Sequence, residues 1–399
     1  MRLFKINGVI QNYAWGGKKF IPELIGEPIS DQNCAEYWMG AHDKSPAILK
    51  ETGRPLNEVI SEHPEEVLGE QTFQQFGRLP FLFKVLDVAD MLSIQVHPTK
   101  KEAEKGFARE NGLGIPLTAP HRNYKDDNHK PEIMVALGEF WLLHGFKSSS
   151  LLLKTLQETP ELSHLVSTFE TGGYKGLYKK VMQEPSKDTS GTLRPLIDRI
   201  LPDYEEGKLQ KSEPEFWAAR AYLTFCDEET IDKGLYSIFF LNILKAEEGE
   251  AVFQAAGVPH AYLEGHNMEL MANSDNVLRG GLTTKHVDVK ELMQHVFFEE
   301  TIPEILKGDL NPDGLERIYK SPAPDFELSK IELEQGETYL GQSESMEISI
   351  LLTGEVRATS DESSLILKRG EVFAVSANTR YQITSIDNAQ LYKARCPLS

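Results

Sequence analysis

The sequence predicts a mainly β protein with an α-helical domain, built around two related β-barrel or jelly-roll units. Short apolar runs broken by Gly, Pro and Asp fill the first 145 residues and return near residue 236, a texture typical of strands and turns. Between about residues 148 and 230, apolar residues recur three or four positions apart, which is the period of amphipathic helices. A strand pattern near residue 250 recurs near residue 371 and indicates an internal repeat.

Composition narrows the functional classes. A formal net charge of −19 over 399 residues argues against attraction to nucleic acid or anionic membranes, but a small anionic substrate can still bind where basic residues gather. The 3 cysteines are widely spaced, which disfavours a disulfide framework and a thiolate zinc site. We see no signal-peptide pattern and no run of about 18 apolar residues. We therefore expect a cytoplasmic enzyme or binding protein.

The first strand-rich region contains one predicted helix. In "TKKEAEKGFAREN", Thr99 is placed to cap the helix and Glu102 to complete a capping box. The strand texture continues on both sides of this insert.

The internal repeat links two distant segments. "GEAVFQAAGVPHAY" (249–262) and "GEVFAVSANTRYQI" (370–383) align with one gap, and both predict strand, loop and strand after a Gly-Glu turn. The first copy has His260 where the second has Arg380, so only the first unit has a candidate metal ligand there.

Domain boundaries follow from these changes of texture. We predict a discontinuous first barrel, a helical domain, and a C-terminal barrel without a metal site that covers the first. Their ranges are residues 1–147 with 231–318, residues 148–230, and residues 319–399.

Four residues form a candidate metal site. In "SIQVHP" (93–98) a strand places Gln95 and His97 on one face, although a solvated polar edge explains the pair as well. Glu132 begins an apolar strand, where a buried carboxylate needs a partner, but a surface turn is the simpler explanation. His260 alone is more typical of a hydrogen-bonded core histidine than of a metal ligand. Together the four make a plausible mixed nitrogen and oxygen set for one divalent metal such as zinc.

Longer motifs identify a family. The sequence resembles the type I mannose-6-phosphate isomerases (phosphomannose isomerases), zinc enzymes of the cupin superfamily, over essentially its whole length. The resemblance implies two cupin-type jelly-roll barrels, of which the first is catalytic. It rests on "YKDDNHKPE" (124–132), "HAYLEGHNMELMANSDNVLRGGLTTK" (260–285), "NYAWGG" (12–17), "AEYWMGAHDKSPA" (35–47) and "MLSIQVHP" (91–98).

The resemblance also implies residue roles. The family's zinc ligands, one ion per chain, fall on Gln95, His97, Glu132 and His260, and its catalytic arginine falls on Arg279. Its pocket residues fall on Trp15, Ser93, Lys130, Glu269, Asp275 and Lys285. Lys84 is expected to contact the substrate phosphate beside Ser93.

The implied reaction interconverts mannose 6-phosphate and fructose 6-phosphate, moving a proton between C1 and C2 through a cis-enediol. Glu269 is the first candidate for the base, because burial in an apolar strand should raise its pKa, although Arg279 or Lys285 would oppose this. His129 and Lys130 are the alternatives for acid–base work or ring opening.

Several alternatives stay open. Lys84 can instead be a snorkelling strand residue, and Trp15 can stack on the sugar or pack the barrel mouth. The glycines after Arg279 serve a close ligand approach or a turn. A ferrous oxygenase and a sugar-phosphate sensor compete with the isomerase. We expect a monomer that binds neither nucleic acid nor membrane.

Overall fold

The computed structural model describes residues 2–398. The strands of the first part of the chain are β1 (Leu3–Asn7), β2 (Val9–Gln11), β3 (Glu36–Gly40), β4 (Ile48–Leu49), β5 (Phe81–Val88), β6 (Gln95–Val96), β7 (Glu132–Ala136), β8 (Phe140–Phe146), β9 (Leu241–Ala246), β10 (Ala251–Gln254), β11 (His260–Ala272) and β12 (Leu278–Arg279). Those of the last part are β13 (Asp309–Leu310), β14 (Glu316–Tyr319), β15 (Glu327–Leu333), β16 (Thr338–Ser343), β17 (Glu347–Thr353), β18 (Glu355–Ser360), β19 (Ser364–Lys368), β20 (Val372–Val375), β21 (Thr379–Ser385) and β22 (Ala389–Arg395).

The helices connect the early strands and form one large insertion. They are α1 (Phe20–Ile25), α2 (Leu56–Glu62), α3 (Pro64–Leu68), α4 (Glu70–Phe76), α5 (Lys100–Gly112), α6 (Ser149–Glu158), a 3₁₀ helix (Pro160–Leu165), α7 (Val166–Gln183), α8 (Ser186–Glu205), α9 (Pro214–Phe225), α10 (Gly234–Phe240) and α11 (Val289–His295).

Three antiparallel sheets make up the β part. A 10-stranded sheet has the order β10-β7-β11-β5-β3-β2; β6 and β8 also pair with β11, while β12 pairs with β6 and β9 pairs with β8. An 8-stranded sheet has the order β13-β14-β15-β22-β17-β20-β1-β4, and a 4-stranded sheet has the order β16-β21-β18-β19. Substantial helix and antiparallel sheet together are consistent with a cupin-like fold.

Strand β11 joins the two halves of the 10-stranded sheet. Its first residues pair with β6 and β8, whereas those from Gly265 onward pair with β5 and β7. The register shifts between Tyr262 and Glu264, and Gly265 has φ 125°, a conformation that favours glycine. This bend lets one strand carry His260 at one end and Glu269 near the other.

The two faces of this sheet differ in polarity. On strands β5 and β11 the outward residues, such as Phe83 and Leu270, join a core shared with the 8-stranded sheet. Because side chains alternate along a strand, Lys84 and Glu269 point to the opposite, inner face. The inner face therefore carries buried charge while the outer face is apolar.

Helices cover the outer face of the other part of the 10-stranded sheet, which contains β6, β8, β9 and β12. Ile94, Val96 and Leu143 pack with the insertion helices in a second apolar core. Alternation then turns Gln95 and His97 away from the helices and toward the interior. Among residues 2–398, no helix is both long and apolar enough to cross a membrane.

The structure agrees with several local expectations and corrects one. Helix α5 begins after Thr99, and the predicted capping box with Glu102 is present. The strand texture near residue 236 was wrong at its start, because Gly234–Phe240 is a buried helix and β9 begins at Leu241.

Two pairings cross the predicted domain boundaries. Strand β1 pairs with β20, so the N-terminus belongs to the 8-stranded sheet. Strand β13 and all but the last residue of β14 lie before residue 319, but both strands extend the same sheet through β15. Sheet membership therefore does not follow the predicted ranges at these ends, while the ranges as domains stay a prediction.

Candidate metal centre

His97, Glu132 and His260 form a buried cluster that could hold one metal ion. Each offers one ligand atom, and these atoms lie within 4.8 Å of one another. The two Nε2 atoms each lie 3.4 Å from a different oxygen of Glu132. Their exposed fractions are 0%, 4% and 3%. We call these three residues the metal-ligand cluster.

Backbone carbonyls fix how the two rings point. The Nδ1 of His97 lies 2.9 Å from the carbonyl of Asn276, and that of His260 lies 2.9 Å from the carbonyl of Val258. Since a carbonyl only accepts, each Nδ1 carries the proton and each Nε2 presents a lone pair.

The donor set fits a metal. Within the described part of the chain, neither Nε2 has a hydrogen-bond partner. Burial lowers the pKa of His97 to about 4, which favours the neutral imidazole that a metal requires. Burial alone would raise the pKa of Glu132, but Lys130 and His97 hold it well below its usual range. Two lone pairs facing one carboxylate are stabilised by a shared cation.

Strand pairing places further predicted residues beside this cluster. Gln95 is paired in register with His260 on one side and with Arg279 on the other. Paired residues of antiparallel strands project to the same face, so these side chains form one row. Burial lowers the pKa of the half-buried Arg279.

The loops of the two longest motifs are locked together. The Asp126 carboxylate accepts hydrogen bonds from the Ser274 hydroxyl and the Asp275 amide, both at 2.7 Å. The Asn276 side chain accepts from the Lys125 amide at 2.7 Å and donates to the Asn128 carbonyl at 2.8 Å. These contacts hold the carbonyl that orients His97.

Glu269 lies in a buried ion pair. Its Oε2 is 2.8 Å from Lys84 Nζ, which also lies 3.4 Å from Glu36 Oε2. Burial raises the pKa of Glu269, and the cations that oppose this rise are Lys84 and, more weakly, Lys130, rather than the expected Arg279 or Lys285. Burial alone would lower the pKa of Lys84, but Glu269 and Glu36 raise it. Because Lys84 is only 5% exposed, it does not snorkel to solvent.

The two alternative acid–base residues differ in position. Lys130 Nζ lies 2.8 Å from Glu132 Oε1, at the edge of the metal-ligand cluster. His129 Nε2 instead lies 2.8 Å from Asp325 Oδ2, a buried carboxylate between β14 and β15. The structure therefore engages His129 with the C-terminal part of the chain.

The remaining predicted pocket residues are partly exposed. Trp15 is half-buried against the apolar residues of the inner face, and Ser93 is half-buried before Gln95. Asp275 binds Lys44 Nζ at 2.5 Å. Burial lowers the pKa of Lys285, and Arg279 lowers it further, which indicates that the two cations are neighbours.

Sequence reasoning missed three groups at the site. Glu36 binds Lys84, and His42 Nε2 lies 3.4 Å from the Asp275 carboxylate that Lys44 also binds. A carboxylate between apolar residues in "AEYWMG" was a usable signal for Glu36, because such a group needs a partner. Nothing in the local sequence marks the other two.

The fold and the site define an antiparallel-sheet protein with one buried candidate centre for a divalent metal. Residues 3–149 match the family model described as phosphomannose isomerase type I, catalytic domain. The mannose-6-phosphate isomerase of Escherichia coli K12 is 38% identical over 383 residues, covering 94% of this chain and 95% of that protein. That of Bos taurus is 31% identical and covers 100% and 99%.

Solved structures agree with these relatives. The mannose 6-phosphate isomerase of Salmonella typhimurium, bound to fructose 6-phosphate and zinc, superposes with a TM-score of 0.89 at 34% identity and covers 100% of both chains. The chain therefore belongs to the type I phosphomannose isomerase family, which confirms the resemblance inferred from its motifs.

Proposed function

We propose that this protein is a zinc-dependent aldose–ketose isomerase that interconverts D-mannose 6-phosphate and D-fructose 6-phosphate through a cis-enediol. The observation that carries the proposal is the metal-ligand cluster, with two histidine lone pairs facing one carboxylate and the buried Lys84–Glu269 pair on the same sheet face. Family relatives named as this isomerase support it.

His97, Glu132 and His260 would hold the zinc, with Gln95 as the fourth ligand. Zinc bound there supplies fixed positive charge that polarises the sugar carbonyl and stabilises oxyanion character. The carbonyls of Asn276 and Val258 keep both imidazoles in the ligating tautomer.

Glu269 is the proposed base for the proton on C1 or C2. A carboxylate whose pKa is raised by burial takes up a proton more readily, and Lys84 holds it in place. Lys130 remains the alternative beside the cluster. His129 is the weaker alternative because it is engaged with Asp325.

The substrate phosphate is proposed to bind between Arg279 and Lys285, with Ser93 contributing its hydroxyl. Both cations are free of ion pairs within residues 2–398, so their charge is available to an anion. Lys84 as a phosphate contact stays a prediction, since two carboxylates already neutralise it. Trp15 and Asp275 are proposed to line the sugar site.

The finer architecture also belongs to this proposal. We propose that the sheets close into two cupin-type jelly-roll barrels, the first catalytic and the second lacking a metal site. Gly257 and Asn378 lie one position apart in the aligned repeat copies, each in the turn before the second strand with positive φ, which supports this relation. We further propose a monomer that works in the cytoplasm with a phosphosugar as its partner.

The test is conversion of mannose 6-phosphate to fructose 6-phosphate in a coupled assay, before and after chelation and zinc restoration. We expect activity that the chelator removes and zinc restores. Zinc-loaded, folded protein that binds the sugar without turning it over would favour a sensor. Oxygen consumption restored by ferrous iron would favour an oxygenase.

A further inference from the structure

Two buried polar side chains beside the metal-ligand cluster have no role in the proposed function. Gln254 ends β10 and is 0% exposed, and His144 lies in β8 and is 6% exposed. The Gln254 amide has no hydrogen-bond partner among the described residues, and the His144 ring has only a loose contact with the backbone of Phe253, which leaves at least one ring nitrogen without a partner. The same property marks the two Nε2 atoms of the cluster.

Strand register places each of them beside a proposed ligand. Gln254 is paired with Glu132 across β10 and β7, and His144 is paired with His260 across β8 and β11. Residues paired in this way project to the same face with Cβ atoms about 4.5–5.5 Å apart. Gln254 and His144 therefore border the cluster from two adjoining strands.

The His144 ring also lies close to the strand that carries Gln254. It contacts the backbone of Phe253, the residue before Gln254. The turn that follows Gln254 is tied to the site, because the Gly257 amide donates to the His97 carbonyl at 2.9 Å. Gln254 and His144 therefore belong to neighbouring backbone segments, and each is in register with a proposed ligand.

Their burial has an energetic cost that calls for a partner. A buried polar group without a hydrogen bond costs about 1–3 kcal/mol, whereas an apolar side chain of the same shape avoids that cost. An amide offers both donors and acceptors, and a neutral imidazole offers one of each. Such groups match an enclosed water, which typically makes about three hydrogen bonds to buried polar atoms.

We propose that Gln254 and His144 are positioning residues of the metal centre, which together hold one enclosed water against the Glu132 carboxylate. Fixing this carboxylate fixes the group that faces both His97 and His260. The inference rests on the proposed zinc site. Removing an outer hydrogen-bond partner of a metal ligand typically lowers metal affinity about 10–100-fold.

The test compares zinc affinity of the full-length protein by chelator competition. Gln254→Met keeps the side-chain length and removes its polar atoms, and His144→Phe does the same for the imidazole. Asn267→Leu is the matched control, because Asn267 is also 0% exposed with an unpartnered amide in the described structure. It is paired with Leu86 and Ala136 rather than with a ligand.

We expect both test variants to bind zinc about 10–100-fold more weakly, and the control to bind like the wild type. Because one water is shared, the double variant should lose no more affinity than the larger single loss.

The outcomes separate the two proposals. Wild-type protein that binds no zinc would remove the zinc site itself. Wild-type protein that binds zinc, with Gln254→Met binding equally well, would overturn only this inference, and so would additive losses in the double variant. If Gln254→Met fails to fold, Gln254→Leu answers the same question.

Discussion

Two buried polar clusters in this protein are built in opposite ways. On the inner face of the 10-stranded sheet, the Nε2 atoms of His97 and His260 have no hydrogen-bond partner among residues 2–398. In the C-terminal part, Lys393 is 1% exposed, yet its Nζ lies 2.8 Å from Glu316 Oε1 and 2.8 Å from the Tyr339 hydroxyl. We call the second set, completed by Glu347, Tyr381 and Ser329, the C-terminal network.

The C-terminal network is closed. Glu316 also accepts hydrogen bonds from the Tyr339 hydroxyl at 3.0 Å and the Ser329 hydroxyl at 2.6 Å, and Tyr381 donates to Glu347 at 2.5 Å. A satisfied network specifies and stabilises a core, whereas an unsatisfied polar atom in a native interior calls for an explanation, such as a bound ion or water. Burial alone therefore does not separate binding sites from structural cores. Unpartnered atoms indicate a binding site where two of them face one carboxylate, as at His97 and His260, and not where they are isolated, as at Asn267.

The largest expected effect is on the metal-ligand cluster, which we call open because its two Nε2 atoms have no hydrogen-bond partner among the described residues. His260→Ala removes one proposed ligand. Loss of a residue that only hydrogen-bonds to a ligand typically lowers metal affinity about 10–100-fold, and we expect a larger fall here in both zinc affinity and isomerase activity. Metal content by elemental analysis and the coupled assay measure both. His164→Ala, an exposed histidine in the helical region, is the control and should retain both properties. Unchanged zinc content in His260→Ala would show that the metal lies elsewhere.

The second-largest expected effect tests whether Glu269 contributes to the rate by transferring a proton or only through its negative charge. Glu269→Gln removes the proposed base, and kcat should fall by about 10²–10⁴-fold while zinc stays bound. Glu36→Gln is the matched control, because Glu36 is also buried and also binds Lys84. Steady-state kinetics should show a much smaller loss for the control. Equal losses would mean that the charge balance around Lys84, rather than proton transfer by Glu269, limits the rate.

The closed network should respond in stability rather than in activity. Lys393→Met leaves Glu316 and Glu347 without their cation, which typically costs about 3–5 kcal/mol in a buried site. Denaturant unfolding of the metal-free protein measures the loss, and activity per folded molecule should persist. Lys330→Met is the control, because its partner Glu332 is 55% exposed, and should cost about 0–1 kcal/mol. Equal costs would contradict the network's buried character.

A smaller loss is expected from the network's hydroxyl donor. Ser329→Ala removes the hydrogen bond to Glu316, and bonds to charged groups contribute about 1.5–3 kcal/mol. The same denaturant measurement on the metal-free protein should show lower stability for Ser329→Ala than for the wild type. Unchanged stability would show that the Ser329 hydroxyl contributes nothing to the C-terminal network.

The sequence was informative wherever the signal was local. The capping box of α5 needs only Thr99 and Glu102, and it is present in the structure. The residues proposed as ligands share long motifs, and three of them meet in the metal-ligand cluster. Alternation along one short strand predicted that Gln95 and His97 share a face, and in the structure His97 is fully buried in the interior.

The features that the sequence did not predict depend on pairing between strands that are distant in the sequence. The register of β3, β5 and β11 brings Lys84 between Glu36 and Glu269, and no local pattern reveals that register. The helix Gly234–Phe240 was mistaken for a strand because it is buried on all sides and therefore lacks an amphipathic period. The C-terminal network was also missed, since its members come from six different strands.

The smallest expected effect is on the stability of the protein at acidic pH. Burial would raise the pKa of Glu316, but Lys393 and the hydroxyls of Ser329 and Tyr339 lower it below its ordinary value. A carboxyl group whose folded pKa is lowered contributes stability that is present above its unfolded pKa, near about 4.3, and is lost as the pH falls through the folded pKa. Each unit by which folding lowers the pKa corresponds to about 1.4 kcal/mol of folding stability. Unfolding free energies of the metal-free protein between about pH 7 and pH 3 should therefore fall more steeply for the wild type than for Glu316→Gln. Parallel curves would show that the network contributes nothing to acid stability, and the closed cluster would then differ from the open one in geometry alone.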